Sequence, residues 1–304
     1  MKIILEDNNL KFSKKLHNYA IKFDNFYNKK SITKNSPKFL NDSIKYINTA
    51  GGKRIRPFLV TECSKLFEVK FEFSIYAAVA LEMVHTYSLI HDDLASMDND
   101  DTRRGKNTLR KQFNEAIAIL TGDCLLTDAF YVLTEFYKNK DPHICIELIS
   151  LLSKSAGSQG MVGGQVLDLF PLESSKKNIN LMNEMKTGAL IKCAALYGAI
   201  LGKAPVKDYN NMESFGIALG KAFQIRDDIL DVQGDEQVLG KKTNKDKIKG
   251  KLSLIDFYGI EGAKKLASNY IIEAKDIISS YGNKGRNLQM LTEYIIDRKK
   301  WKHR

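Results

Sequence analysis

The chain has 304 residues, 43% of them hydrophobic and 27% charged, which is the composition of a folded globule able to bury a sizeable core. A formal net charge of +11 invites a nucleic-acid reading, but the lysines are dispersed, and the richest basic stretch, residues 241–251, has no aromatic ring for bases to stack on. Four cysteines, Cys63, Cys124, Cys145 and Cys193, form no CxxC or Cys/His pairing, which argues against a disulfide scaffold or zinc site and for a reducing compartment.

The N-terminus has only a four-residue apolar start before its first acids, so no secretory signal is expected. No apolar run approaches the ~18 residues of a membrane span, and the best stretch, residues 188–202, carries Lys192. The expectation is a cytoplasmic protein with no membrane span and no nucleic-acid partner. The first ~35 residues read as a peripheral helix. Residues 75–94 form the next clear helix, with Ala78, Leu81, Val84, Tyr87 (or Ser88) and His91 on one stripe. Further helices are predicted over residues 113–137, 144–170, 181–201 and 216–232, then as short amphipathic pieces through the C-terminal third. Breaks fall at residues 51–52, 99–108, 141–142, 171–180, 202–210 and 234–250, and no period-2 run suggests a strand. The pattern is all-α, a single helical domain spanning residues 1–304.

Two acid clusters stand out. Residues 89–108, LIHDDLASMDNDDTRRGKNT, hold Asp92, Asp93, Asp98, Asp100 and Asp101 and then reverse sign at Arg103 and Arg104. Residues 223–232, FQIRDDILDV, hold Asp227, Asp228 and Asp231, which lie within about 60° of Asp231 around a helix and so share one side. Such a triplet in an apolar helix repels itself unless cations neutralise it, and oxygen-only ligands favour a hard ion such as Mg2+. Asp92 and Asp98 lie about 120° apart on an ideal helix, so they share a ligand only if the helix stops near residues 95–97. Residues 51–57, GGKRIRP, add two glycines for close backbone approach and Lys53, Arg54 and Arg56 as a compact cationic nest. This is not a P-loop. Two acid helices gripping a shared metal–diphosphate, with arginines on the exposed oxygens, would account for all three motifs.

With these motifs in order, the chain resembles the trans-isoprenyl diphosphate synthases, and among them the bacterial farnesyl diphosphate branch. The likeness runs from about residue 39 to the C-terminus, through residues 51–57, 85–106, GGQVLDL (163–169), MKTGAL (185–190), 223–235 and LGK (239–241). The resemblance implies an isoprenoid synthase fold, a helical bundle around a deep central cavity, assembled as a homodimer. It implies Mg2+, two or three ions per site with Mn2+ as a substitute, held by Asp92, Asp98 and Asp227 with help from Asp93, Asp228 and Asp231. Arg103, Lys186 and Lys241 would hold an allylic diphosphate, and Lys53, Arg56, His85 and Arg104 isopentenyl diphosphate. Thr187 and Gln224 would set oxygens near an allylic cation, Gln165 and Asp168 would support the site from behind, and Lys251 belongs to a lid.

Tyr87 precedes Asp92 by five residues, about 7.5 Å along the helix, where with Ser88 it would floor the prenyl tail and stop elongation at C15. A C20 geranylgeranyl product and a non-catalytic partner subunit are the alternatives. A terpene cyclase would lack residues 51–57 and carry a different second metal motif. Three departures stand out: Ala95 and Asn107 replace prolines of the family pattern, and residues 251–255 alter its lid segment.

Overall fold

A computed structural model describes residues 2–31, 35–173, 175–233 and 253–297. Four helices come first, α1 (Lys2–Ser31), α2 (Lys38–Asn48), α3 (Ile55–Leu66) and α4 (Phe71–Asp92). A two-residue hairpin, β1 (Thr102–Arg103) against β2 (Lys106–Asn107), pairs Thr102 with Asn107 and Arg103 with Lys106. Then come α5 (Leu109–Gln112), α6 (Glu115–Tyr137), α7 (Pro142–Ala156), α8 (Met161–Leu169) and α9 (Lys176–Asn183). The last of these continues through a π turn (Glu184–Gly188) into α10 (Ala189–Leu201). The chain closes with α11 (Val206–Gln233), α12 (Leu254–Ser279), a 3-10 turn (Gly282–Gly285) and α13 (Arg286–Asp297).

α4 and α10 are apolar on every side, so they occupy the middle of the bundle and have no single buried stripe. α3 crosses α10 closely because Gly198 lacks a side chain, and a Cβ there would collide with the Cys63 backbone. α4 and α6 are both long and apolar enough to cross a membrane, which corrects the expectation that no run reaches that length. In α4 that window is 72% buried and is core; in α6 it is only 39% buried.

Four further expectations are corrected. The N-terminal helix is not peripheral, since Phe12, Leu16, Phe23 and Tyr27 belong to the main core cluster. The helix expected over residues 144–170 is two helices, because Gly157 takes extended backbone and Gly160 a further non-helical conformation between them. The C-terminal third holds a 26-residue helix, α12, bent at Gly259 (φ 64°), with Ala263, Ala267, Ile271, Ala274 and Ile278 buried on one face. The expected breaks at residues 171–180 and 202–210 are shorter, because α9 starts at Lys176 and α11 at Val206.

Candidate active site

α4 ends at Asp92, and the chain folds back so that the Asp98 amide donates to the Asp92 carbonyl at 2.8 Å. Asn99, in the left-handed region (φ 55°), completes the reversal. The helix therefore stops where the two aspartates need it to stop. Asp93, 3% exposed, accepts from Arg103 through Nε (2.8 and 3.0 Å) and Nη2 (2.7 Å). Arg104 turns the other way and donates to the Gly51 carbonyl. Neighbouring arginines are thereby divided between the aspartates and the glycine turn.

That turn uses backbone that side chains resist. Gly51 has φ 76° and Gly52 φ 150°, and a Cβ on Gly52 would sit 2.7 Å from the Arg104 guanidinium. Arg54, read from sequence as part of the cationic nest, is instead buried away from it. Its Nε donates to Asp24 and its Nη1 to Glu82, both at 2.7 Å, and its Nη2 to the Asn48 carbonyl at 3.2 Å. Two acids neutralise this cation, so the nest belongs to Lys53 and Arg56. Lys53 donates to the Tyr294 hydroxyl at 2.6 Å. Arg56 Nη1 lies 3.3 Å from His85 Nε2, and Arg56 Nε is buried without a hydrogen-bond partner.

Burial, reinforced by Arg56, Arg104, Arg54 and Arg103, holds His85 well below its ordinary pKa. The imidazole is therefore neutral and accepts from Arg56. Burial also lowers Arg56, against the opposing pull of Glu82 and Asp227. That pull ties Asp227 of α11 electrostatically to the nest.

The third wall is the π turn with α8 and α11. Lys186 pairs with Asp168 at 2.7 Å, a contact that gives Asp168 its supporting position. The Thr187 hydroxyl donates to Gln224 Oε1 at 2.6 Å, and Gln224 Nε2 donates to Asp228 Oδ1 at 2.7 Å, one helical turn on. Gln165 is 9% exposed with its Nε2 unpaired. Burial pushes Asp92 up to about 6, helped by Asp98 and Asp93 and opposed by Lys186 and Arg103. A cavity of about 190 Å3 lies beside Gln224 between the π turn and α11, and the aspartates do not line it.

Tyr87 is 6% exposed, with its ring edge-on to His91 at 5.6 Å, and Ser88 donates to the His85 carbonyl at 2.8 Å. Asp231 sits exposed on the last turns of α11. Lys241, Lys251 and the altered lid lie outside the described residues. Sequence reasoning missed Asp24, Glu82 and Tyr294. Of these only Glu82, an acid inside an apolar helix one turn before His85, left a signal.

Residues 37–286 match the polyprenyl synthetase family model. The chain belongs to the polyprenyl synthetase family. It is 40% identical over 272 residues to the geranylgeranyl diphosphate synthase of Cyanophora paradoxa, covering 88% of this chain and 91% of that protein. It is also 40% identical over 286 residues to the farnesyl diphosphate synthase of Micrococcus luteus, covering 91% and 96%. An FPP/GFPP synthase from Zymomonas mobilis, solved in its apo form, superposes with a TM-score of 0.84 at 32% identity, covering 95% of this chain and 99% of that one. Like its relatives, this polyprenyl synthetase is an all-α prenyltransferase of isoprenoid biosynthesis.

The family generally uses a divalent metal. Among the described residues no three acidic, histidine or cysteine side chains are already gathered as around an ion. The donor chemistry nevertheless fits one. Every candidate ligand is a carboxylate, and half-buried Asp92 resists ionisation despite Lys186 and Arg103. A hard divalent cation would relieve that cost.

Proposed function

We propose that this polyprenyl synthetase condenses isopentenyl diphosphate with dimethylallyl and then geranyl diphosphate to make farnesyl diphosphate, with Mg2+ as its metal. The observation that carries the reading is the mutual electrostatics of two acid clusters and two cation groups. Lys186 and Arg103 act on Asp92, and Asp227 acts on Arg56. Arg103 and Lys186, on the aspartate side, suit the allylic diphosphate. Lys53, Arg56 and Arg104, on the glycine turn, suit isopentenyl diphosphate, with neutral His85 orienting Arg56.

In the reaction the allylic C–O bond breaks, and its carbon is attacked by the isopentenyl double bond. A proton then leaves to restore an allylic diphosphate, and the departing diphosphate accepts it. Mg2+, held by Asp92, Asp98 and Asp227 with Asp93, Asp228 and Asp231 in support, would neutralise charge on the leaving group. Thr187 and Gln224, locked by their hydrogen bond, would present oxygens to the allylic carbon. Asp228 fixes the Gln224 amide so that its oxygen faces Thr187. The apolar helix walls would keep water from capturing the cation.

The C15 product rests on Tyr87, whose buried ring is held edge-on by His91. His91 Nε2 in turn lies 3.1 Å from the Ile119 carbonyl, which anchors the ring to α6. Relatives carry both farnesyl and geranylgeranyl names at equal identity, so chain length is the decisive measurement. Incubation with Mg2+, isopentenyl diphosphate and each allylic starter should yield C15, with farnesyl diphosphate extended poorly. A C20 product would keep the mechanism and reject Tyr87 as the floor; no condensation would favour the partner-subunit reading.

A homodimer is part of this proposal. The exposed face of α6 offers Leu120 (56%) and Tyr131 (60%), and α7 adds Ile146 (65%). Such a face suits an isologous interface between two copies.

A further inference from the structure

We propose that Tyr294, on the C-terminal helix α13, is a positioning residue that sets Lys53 for the diphosphate of isopentenyl diphosphate. The inference rests on the assignment of Lys53 to that substrate. The two residues are 241 positions apart, yet the Lys53 ammonium donates to the Tyr294 hydroxyl at 2.6 Å. The same ammonium stands 4.9 Å from the centre of the tyrosine ring.

Lysine is a point charge on a four-carbon stem, and its reach is set by rotamers that binding must freeze. Lys53 also follows two glycines whose backbone occupies the right-hand half of φ space, so its own main chain restrains it weakly. The tyrosine supplies a side-chain restraint. Its ring is 8% exposed and packs on Phe12 at 5.4 Å, so the hydroxyl has one place to be. Neighbours on the same helix, Leu288, Leu291 and Ile295, are fully buried and fix the helix axis. An ammonium has three donors, so one can stay on the tyrosine while others turn to a diphosphate. Arg56 needs no such aid, because His85 already holds it. The hydrogen bond joins the tyrosine to Lys53, on the side assigned to isopentenyl diphosphate, so the effect is expected on that substrate and not on the allylic one.

Calorimetric titration of isopentenyl diphosphate without metal, and of geranyl diphosphate with Mg2+, separates the possibilities in wild type, Tyr294→Phe, Lys53→Met and the double variant. Phenylalanine keeps the ring on Phe12 and removes only the hydroxyl. Tyr294→Phe should weaken isopentenyl diphosphate about tenfold, the scale of one hydrogen bond to a charged group, and geranyl diphosphate less than twofold. The double variant should bind no worse than Lys53→Met alone. A Tyr294→Phe protein that loses both ligands alike, or neither, overturns the proposal, as does a full tyrosine effect on top of Lys53→Met. A Lys53→Met protein that binds isopentenyl diphosphate like wild type overturns the substrate assignment and the proposal together. A weak Lys53→Met protein beside a normal Tyr294→Phe protein overturns the proposal alone.

Discussion

Asp92 and His85 are two turns apart on α4 and are perturbed in ways that give opposite pH dependences. The Asp92 carboxyl is raised by burial from 3.8 to about 6, so the native chain holds its proton more tightly than the unfolded one. Its contribution to stability is full below pH 3.8 and is lost as pH rises through about 6. Replacing it with asparagine should therefore stabilise the protein in chelator at pH 7.5, by roughly 1–3 kcal/mol, and the gain should shrink toward pH 4 in thermal melts. The same Asp92→Asn change should cut turnover about a hundredfold or more and raise the Mg2+ needed for half-maximal rate. His85 is lowered by burial from 6.5, so its contribution is full above pH 6.5 and is lost as pH falls. His85→Gln should flatten the fall in melting temperature between pH 7 and pH 5 relative to wild type.

These residues were legible in sequence because a carboxylate or imidazole inside an apolar helix is costly enough to demand a chemical reason. The duties of Arg54 and Tyr294 were not, since a cation and its partners 28 to 241 residues away share no local pattern.

Among the elements, α8 and the π turn form the wall that aims Lys186. Gly164 makes this possible, for a Cβ there would collide with the backbone of Lys186 itself. Gly164→Ala should cost about 1–3 kcal/mol, read in denaturant melts, because backbone and not a flexible side chain would have to move. It should also raise KM for geranyl diphosphate more than KM for isopentenyl diphosphate, since only Lys186 is displaced. The central helices were readable from apolar runs and from the acids that end them. The π turn was not: one extra residue over five barely shifts an apolar period. Residues 157–160 were missed as a break because the apolar spacing continues across two glycines.

For the whole molecule, the exposed apolar face of α6 sets the expected assembly. Leu120→Glu replaces a side chain that is 56% exposed, so in a lone chain it should barely alter stability. At a two-fold interface it would bury like charges on both copies, and light scattering should show a shift from dimer to monomer. The bundle is also closed by contacts between α1 and α13. Lys15 on α1 meets Asn287 on α13 at 2.5 Å, and Phe12 lies against Tyr294. A chain emerging from the ribosome N-terminus first therefore cannot complete this part of its core until α13 has been made. A chain cut before residue 286 would leave Phe12 without the Tyr294 ring that lies against it. Such a fragment should be cleaved by protease far faster than the chain that includes α13.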